Sequence, residues 1–153
     1  MAHIVCNIAL GRIGELYRRV ENGDPSTARL VLIPLETSGL ASDATLKDYD
    51  TVADLLAGST NEQTTMSRKT LSATELASVP TPDDGNDRVD YALPAVTWTA
   101  AAGNPVSKVL VCYEPNNSSP SDSNKIPLTI FDATLNPDGN DATLNSGTFF
   151  RAS

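Results

Sequence analysis

Residues 106–113, VSKVLVCY, are apolar on both sides of an extended chain. With a strand's two-residue period, Val106, Leu110 and Cys112 share one face, and Val109, Val111 and Tyr113 share the other. Such a strand needs cover on both faces and belongs in the middle of a sheet. Two more strands lead into it within residues 87–115, DRVDYALPAVTWTAAAGNPVSKVLVCYEP. In the first, Val89, Tyr91 and Leu93 alternate with Arg88, Asp90 and Ala92 until Pro94 interrupts. In the second, Val96 and Trp98 alternate with Thr97 and Thr99. A loop with Gly103, Asn104 and Pro105 separates the second from the third. The rest of the chain is expected to supply neighbours for this three-strand unit.

Ahead of it, Ile13, Leu16, Tyr17 and Val20 stand at helical spacing. Gly11 and Gly14 would each cost about 1 kcal/mol inside a helix. Residues 11–20 therefore read equally as a short amphipathic helix or as an irregular strand leading to the turn at 21–25. Residues 28–35, ARLVLIPL, read as a strong strand, with Pro34 implying an edge or a strand end. Residues 40–49 are polar and loop-like. Asp50 or Thr51 has the character of an N-cap, followed by Val52, Leu55 and Leu56 on one face and a stop at Gly58. Residues 59–65 form a polar loop, and a strand is expected around residues 68–73.

Two similar segments, residues 82–87 (PDDGND) and 137–141 (PDGND), each precede an expected strand and read as hairpin connections. Their alternating acids also suggest calcium ligands, but neither has the spacing of an EF-hand loop or its terminal glutamate. Residues 116–124, NNSSPSDSN, form a flexible exposed loop. Ile126, Leu128 and Ile130 alternate as one strand, followed by Phe131. Residues 142–152 form a last strand anchored by Phe149 and Phe150.

Successive strands without intervening helices give a mostly antiparallel, mostly β chain: a β-sandwich or jelly-roll-like barrel with one short helix. The 153 residues are expected to form a single domain. No apolar run approaches the roughly 20 residues that span a bilayer. The start, MAHIVCNIAL, lacks the basic region and long apolar stretch of a signal peptide.

The net charge of −8 is unevenly spread. Residues 1–35 carry four basic and three acidic side chains, whereas residues 36–90 carry four basic and eleven acidic. That field argues against nucleic-acid partners. The basic residues near the front, Arg12, Arg18, Arg19 and Arg29, are either solvated and locally paired or used for contact. Cys6 and Cys112 make neither a disulfide framework nor a metal site, and are read as two free thiols assembled in a reducing cytoplasm.

Catalysis has little to draw on. The single histidine, His3, stands at the chain end, and no HExxH, GxSxG, GxxxxGK[ST] or GxGxxG occurs. The carboxylates sit in turns and on polar faces, where they stay solvated. The expectation is a non-enzyme without metal or cofactor. Trp98 is the one residue with a binding alternative, because an exposed tryptophan on a sheet stacks on sugar rings. Its alternation with threonines beside Val96 favours a core anchor.

The whole chain resembles a family of small tailed-phage virion proteins, frequent in actinobacterial phages and encoded among head genes. The stretches that carry the resemblance run in order. They are NIALGRIGELYRRVENGDPSTARLVLIPLE, LASDATLKDYDTVADLLAGSTNEQTT with SRKTL, DDGNDRVDYALPAVTWTAAAGNPVSKVLVCYEP, and IPLTIFDATLNPDGNDATLNSGTFFRAS. The resemblance implies a β-rich structural component of the particle. The implied type is a capsid decoration (cement) or head-accessory protein, with a fibre, tail or connector part as the alternative, and no catalytic residues to transfer. The implied partner is the major capsid protein on the capsid exterior, after synthesis in the bacterial host cytoplasm. A homo-oligomer such as a trimer is expected there, without membrane or nucleic acid. On that footing residues 1–27 are the candidate docking segment and 28–153 the β core. His3, Arg12, Arg18, Arg19 and Arg29 are the candidate docking residues. The rival reading, a host-glycan binding module, uses loops or Trp98.

Overall fold

The structure, a computed structural model, describes residues 3–58, 60–76 and 80–153. Its backbone is a five-stranded antiparallel sheet in the order β1-β7-β6-β2-β3. The strands are β1 (His3–Val5), β2 (Arg29–Glu36), β3 (Lys69–Leu71), β6 (Val106–Glu114) and β7 (Ile126–Leu135). Two smaller antiparallel ribbons pair β4 (Val89–Leu93) with β9 (Gly147–Ala152) and β5 (Val96–Trp98) with β8 (Ala142–Leu144). The fold is mostly β and sandwich-like.

The central strand is where the sequence placed it, with β2 and β7 on its two sides. Each face has its own core. One core gathers Leu30, Leu32, Val109, Val111, Tyr113 and Phe131 against a helix and both ribbons. The other gathers Val31, Ile33, Leu35, Leu110, Cys112 and Ile130 against two short helices and the amino-terminal segment. All three strands expected over residues 87–115 are present as β4, β5 and β6, but they do not pair with one another, because each has a different partner. The expected last strand is likewise two strands, β8 and β9, in different ribbons. Neither PDDGND nor PDGND joins paired neighbours. The first closes on itself through the Asp83–Arg88 bridge, and the second bonds to the 100–101 turn through Gly139 N–H to Ala101 O and Ala101 N–H to Asn140 O.

Two bulges displace side chains from the faces that simple alternation assigns. The ladder shifts between Val106 and Lys108, so Val106 joins the core of Val109 and Val111 and not that of Leu110. It shifts again between Val111 and Cys112, which pair with Thr129 and Pro127. Leu128 and Ile126 therefore face the first core and Ile130 the second. Each inserted residue reverses the parity of the strand beyond it.

Residues 11–20 resolve as helix. α1 (Ile13–Asn22) buries Ile13, Leu16, Tyr17 and Val20, contributing roughly 1.5–3 kcal/mol for each large side chain. Gly14 within the helix leaves room for Tyr91, whose hydroxyl would come within 2.5 Å of a Cβ there. Gly23, at φ 62°, ends the helix in the left-handed conformation. Tyr17 closes the contact by donating to Ala92 O at 3.0 Å. α2 (Asp43–Leu46) is a single turn that the polar sequence conceals. α3 (Val52–Ala57) begins at Thr51, whose Oγ accepts from Asp54 N–H at 3.1 Å, as its cap signature indicates. The strand expected around residues 68–73 is β3, and α4 (Ala73–Leu76) follows it directly. Pro34 is interior to β2, but β3 has ended by then; its carbonyl accepts from Gln63 N–H on the side its missing N–H would face.

The division at residue 27 does not separate an appendage from a core. β1 belongs to the main sheet, and Cys6, Ala9 and four α1 side chains are in the same cores as the strands. Both cysteines are free and buried.

Candidate functional site

The most developed polar cluster lies where β6 hands over to β7. Glu114 closes β6, Lys125 immediately precedes β7, and the two face each other across the base of the connection with 0% and 4% of their surface exposed. Lys125 Nζ is 2.9 Å from Glu114 Oε2 and 3.0 Å from Asp122 Oδ1. Asp122 in turn takes two hydrogen bonds from Arg68, from Nη1 at 2.5 Å and Nη2 at 2.8 Å. The other edge of the same guanidinium grips Glu62, Nε to Oε1 at 2.7 Å and Nη2 to Oε2 at 2.6 Å. One arginine thus makes paired hydrogen bonds to two carboxylates, the geometry only its planar fork supports.

Electrostatics follow from those contacts. The hydrogen bonds from Arg68, reinforced by Lys125, outweigh partial burial and hold the Asp122 carboxyl down at about 2. Hydrogen bonds to Glu62 and then Asp122 raise the Arg68 pKa further. Burial alone would lower Lys125, but its bonds to Glu114 and Asp122 prevail and raise it. The cluster sets three carboxylates against two cations.

The cluster borders a hollow of about 480 Å³ lined by Val31, Thr70, Asn117 and Pro120 as well as Arg68, Asp122 and Lys125. Both cations facing it are already engaged by carboxylates, so it has no spare positive charge for an anionic ligand. What the arrangement does is fasten the chain. Val52 N–H donates to Lys125 O and Ala53 N–H to Asp122 O, so the loop carbonyls satisfy orphan donors at the start of α3. Asn117 N–H donates to Thr27 O and Asn116 N–H to Glu114 Oε1. The 116–124 segment, expected to be a flexible loop, is exposed along its crest and pinned at both ends.

The five sequence-predicted docking residues are not brought together. His3 lies exposed in β1, beside a small hollow it shares with Asp43, Lys108 and Asp132. Arg18 donates to Pro80 O at 3.1 Å and approaches Glu21. Arg29 Nη1 is bound by the carbonyls of Ser26 and Ala28. Arg12 and Arg19 line one further hollow, beside α1, where Arg19 is paired with Glu15 at 3.0 Å.

Trp98 is a core residue. It is 2% exposed, donates from Nε1 to Ser67 O at 2.9 Å, and carries the Lys69 ammonium 5.9 Å from its ring centroid. A sugar-stacking role requires an open ring face, which this burial denies.

The clasp residues had no collective signal in the sequence, since Arg68 and Asp122 are 54 positions apart. Only the Asp122–Lys125 spacing was local. Among the described residues no group of three or more His, Cys, Asp or Glu is placed to hold a metal ion. No helix among them is long and apolar enough to cross a membrane. Comparison with models of protein families, with curated proteins and with solved structures finds no match in any of the three.

Proposed function

We infer that this chain is a bacteriophage virion structural protein: a capsid decoration (cement) protein that binds the major capsid protein on the outer surface of the head and stabilises the shell. Its sequence resemblance to small tailed-phage virion proteins supports the reading. The structural observation that carries it is the clasp. Five charged side chains are spent on fixing one surface connection, Glu114 to Lys125, against β3 and α3. Fixing that connection holds the surface beside it in one shape, so little conformational entropy is lost when that surface meets another, the property that a protein binding a repetitive lattice needs. Two cores on either side of one sheet supply a rigid body behind it.

The mechanism is clamping without chemistry. Contacts to two or more shell subunits, or through a homo-oligomer such as a trimer on a local symmetry axis, separate only when several release together. The acidic surface keeps free copies soluble and away from packaged nucleic acid.

The test is the copy number in purified virions relative to the major capsid protein, by quantitative mass spectrometry. On the order of hundreds of copies is expected for a protein that follows the shell's symmetry. A dozen copies or fewer would place it at the portal or tail and overturn the decoration reading.

A further inference from the structure

Resting on the decoration reading above, we propose that the turn before α1 and the hollow beside it form the docking surface, and that the occupant is a shell-protein segment pairing a carboxylate with an apolar side chain. Three features bear on that assignment, linked through Arg12.

The first is a spare charge. Of the eleven lysines and arginines, nine have an ion pair, hydrogen bond or ring contact. Among the described residues only the side chains of Arg12 and Lys47 have none of these. Arg12 is exposed and on the rim of the hollow.

The second is the hollow itself, about 280 Å³, with Leu16, Tyr113 and Ile126 among its lining and Pro25 and Pro115 beside them. Small-molecule sites run from about 300 to 1,000 Å³, so this one suits a side chain or two of a peptide better than a free ligand. The third is Leu10. At 63% exposure it is the only large hydrophobic side chain so exposed among the described residues, and it stands two positions before Arg12 in the turn that enters α1. One exposed leucine is ordinary; one two positions along the chain from an uncompensated guanidinium on the rim of a hollow extends a binding patch.

Charge selects the occupant. Glu15 already neutralises Arg19, leaving Arg12 as the open charge of the rim. Covering that guanidinium without a counterion would cost desolvation energy, so the incoming segment must bring a carboxylate. A single available cation on a chain of net charge −8 is a poor footprint for nucleic acid.

The experiment uses the full chain and heads purified without it, with binding of labelled protein measured against concentration. Arg12→Glu is expected to weaken binding at least tenfold, and Leu10→Ser several-fold. Ser38→Glu, at an exposed position just past the far end of β2, should match the unmodified protein. Arg12 is the N-cap residue of α1 and its side chain makes no cap hydrogen bond. A glutamate there complements the helix dipole, so all variants should melt as the parent does. Equal binding by Arg12→Glu and the parent overturns the docking assignment and leaves the decoration reading standing. Failure of the parent itself to bind heads overturns that reading and this one with it. If Arg12→Glu instead lowers the protein's own sedimenting mass, the occupant is a second copy, and the assignment to a shell segment is wrong.

Discussion

The β6–β7 connection and the turn before α1 are both polar surface chain, and they use their charges in opposite ways. In the first, Arg68 and Lys125 are fully engaged by Glu62, Asp122 and Glu114, and the exposed crest hangs from a fixed base. In the second, the Arg12 side chain stands without a partner, two positions from an uncovered leucine. Charges used inside the molecule contribute to holding its shape, whereas charges left over are available to something else. The contrast assigns shape and recognition to different side chains of one neighbourhood, since Tyr113, Pro115 and Ile126 of the hollow flank Glu114 and Lys125 of the clasp.

The largest expected effect comes from breaking the clasp at its driest point. Lys125→Met leaves the Glu114 carboxylate buried without its cation, which should cost roughly 3–5 kcal/mol in urea unfolding. Adding Glu114→Gln removes the stranded charge and should restore most of that loss. If Lys125→Met costs under about 1 kcal/mol, the pair is not what holds the connection and the contrast fails. Arg68→Met should come next, near 2 kcal/mol, because it strands two carboxylates that are only partly buried. Amide exchange across residues 116–124 would sharpen the point. Protection should fall there in Arg68→Met and stay unchanged in β9, which the clasp does not touch.

What the sequence disclosed follows from the range of the interactions concerned. The central strand was legible because Val109 to Tyr113 is apolar at every position, and Thr51 and Gly58 bracket α3 with local chemistry. The face assignments of Val106 and Ile130 were not legible, because a bulge is set by the ladder partner and not by the strand's own residues. Residues 11–20 stayed ambiguous for a similar reason. What Gly14 makes room for is the hydroxyl of Tyr91, 77 positions away. The clasp joins residues from three separate segments, and composition alone made its loop look loose. Arg12 was named from the sequence only as one of four front-end arginines. What distinguishes it is that Arg18, Arg19 and Arg29 found partners after folding.

Acid should separate the two regions more gently. Asp122 has its pKa lowered from 3.8 to about 2 by Arg68 and Lys125. A depressed carboxyl contributes stability that is complete above its unfolded value and is lost as pH falls through the folded one. Unfolding free energy should therefore decline between about pH 4 and pH 2, and Asp122→Asn should lose that part of the slope. The same slope in Asp122→Asn as in the parent would assign the acid sensitivity to other carboxylates and detach it from the clasp.

The smallest effect is the other half of the contrast. Arg12→Ala removes a side chain that makes no ion pair or hydrogen bond within the described molecule, at an exposed position where α1 gains no cap from it. Its stability should stay within about 0.5 kcal/mol of the parent in urea. A loss of 1 kcal/mol or more would mean that Arg12 supports the fold, as Arg68 does, and the turn would then have no idle charge to offer a partner. A null effect on unfolding together with weakened attachment to heads is the pairing that only a recognition residue produces. Folding and docking then draw on different arginines, because the first needs a cation buried among carboxylates and the second needs one kept out of their reach.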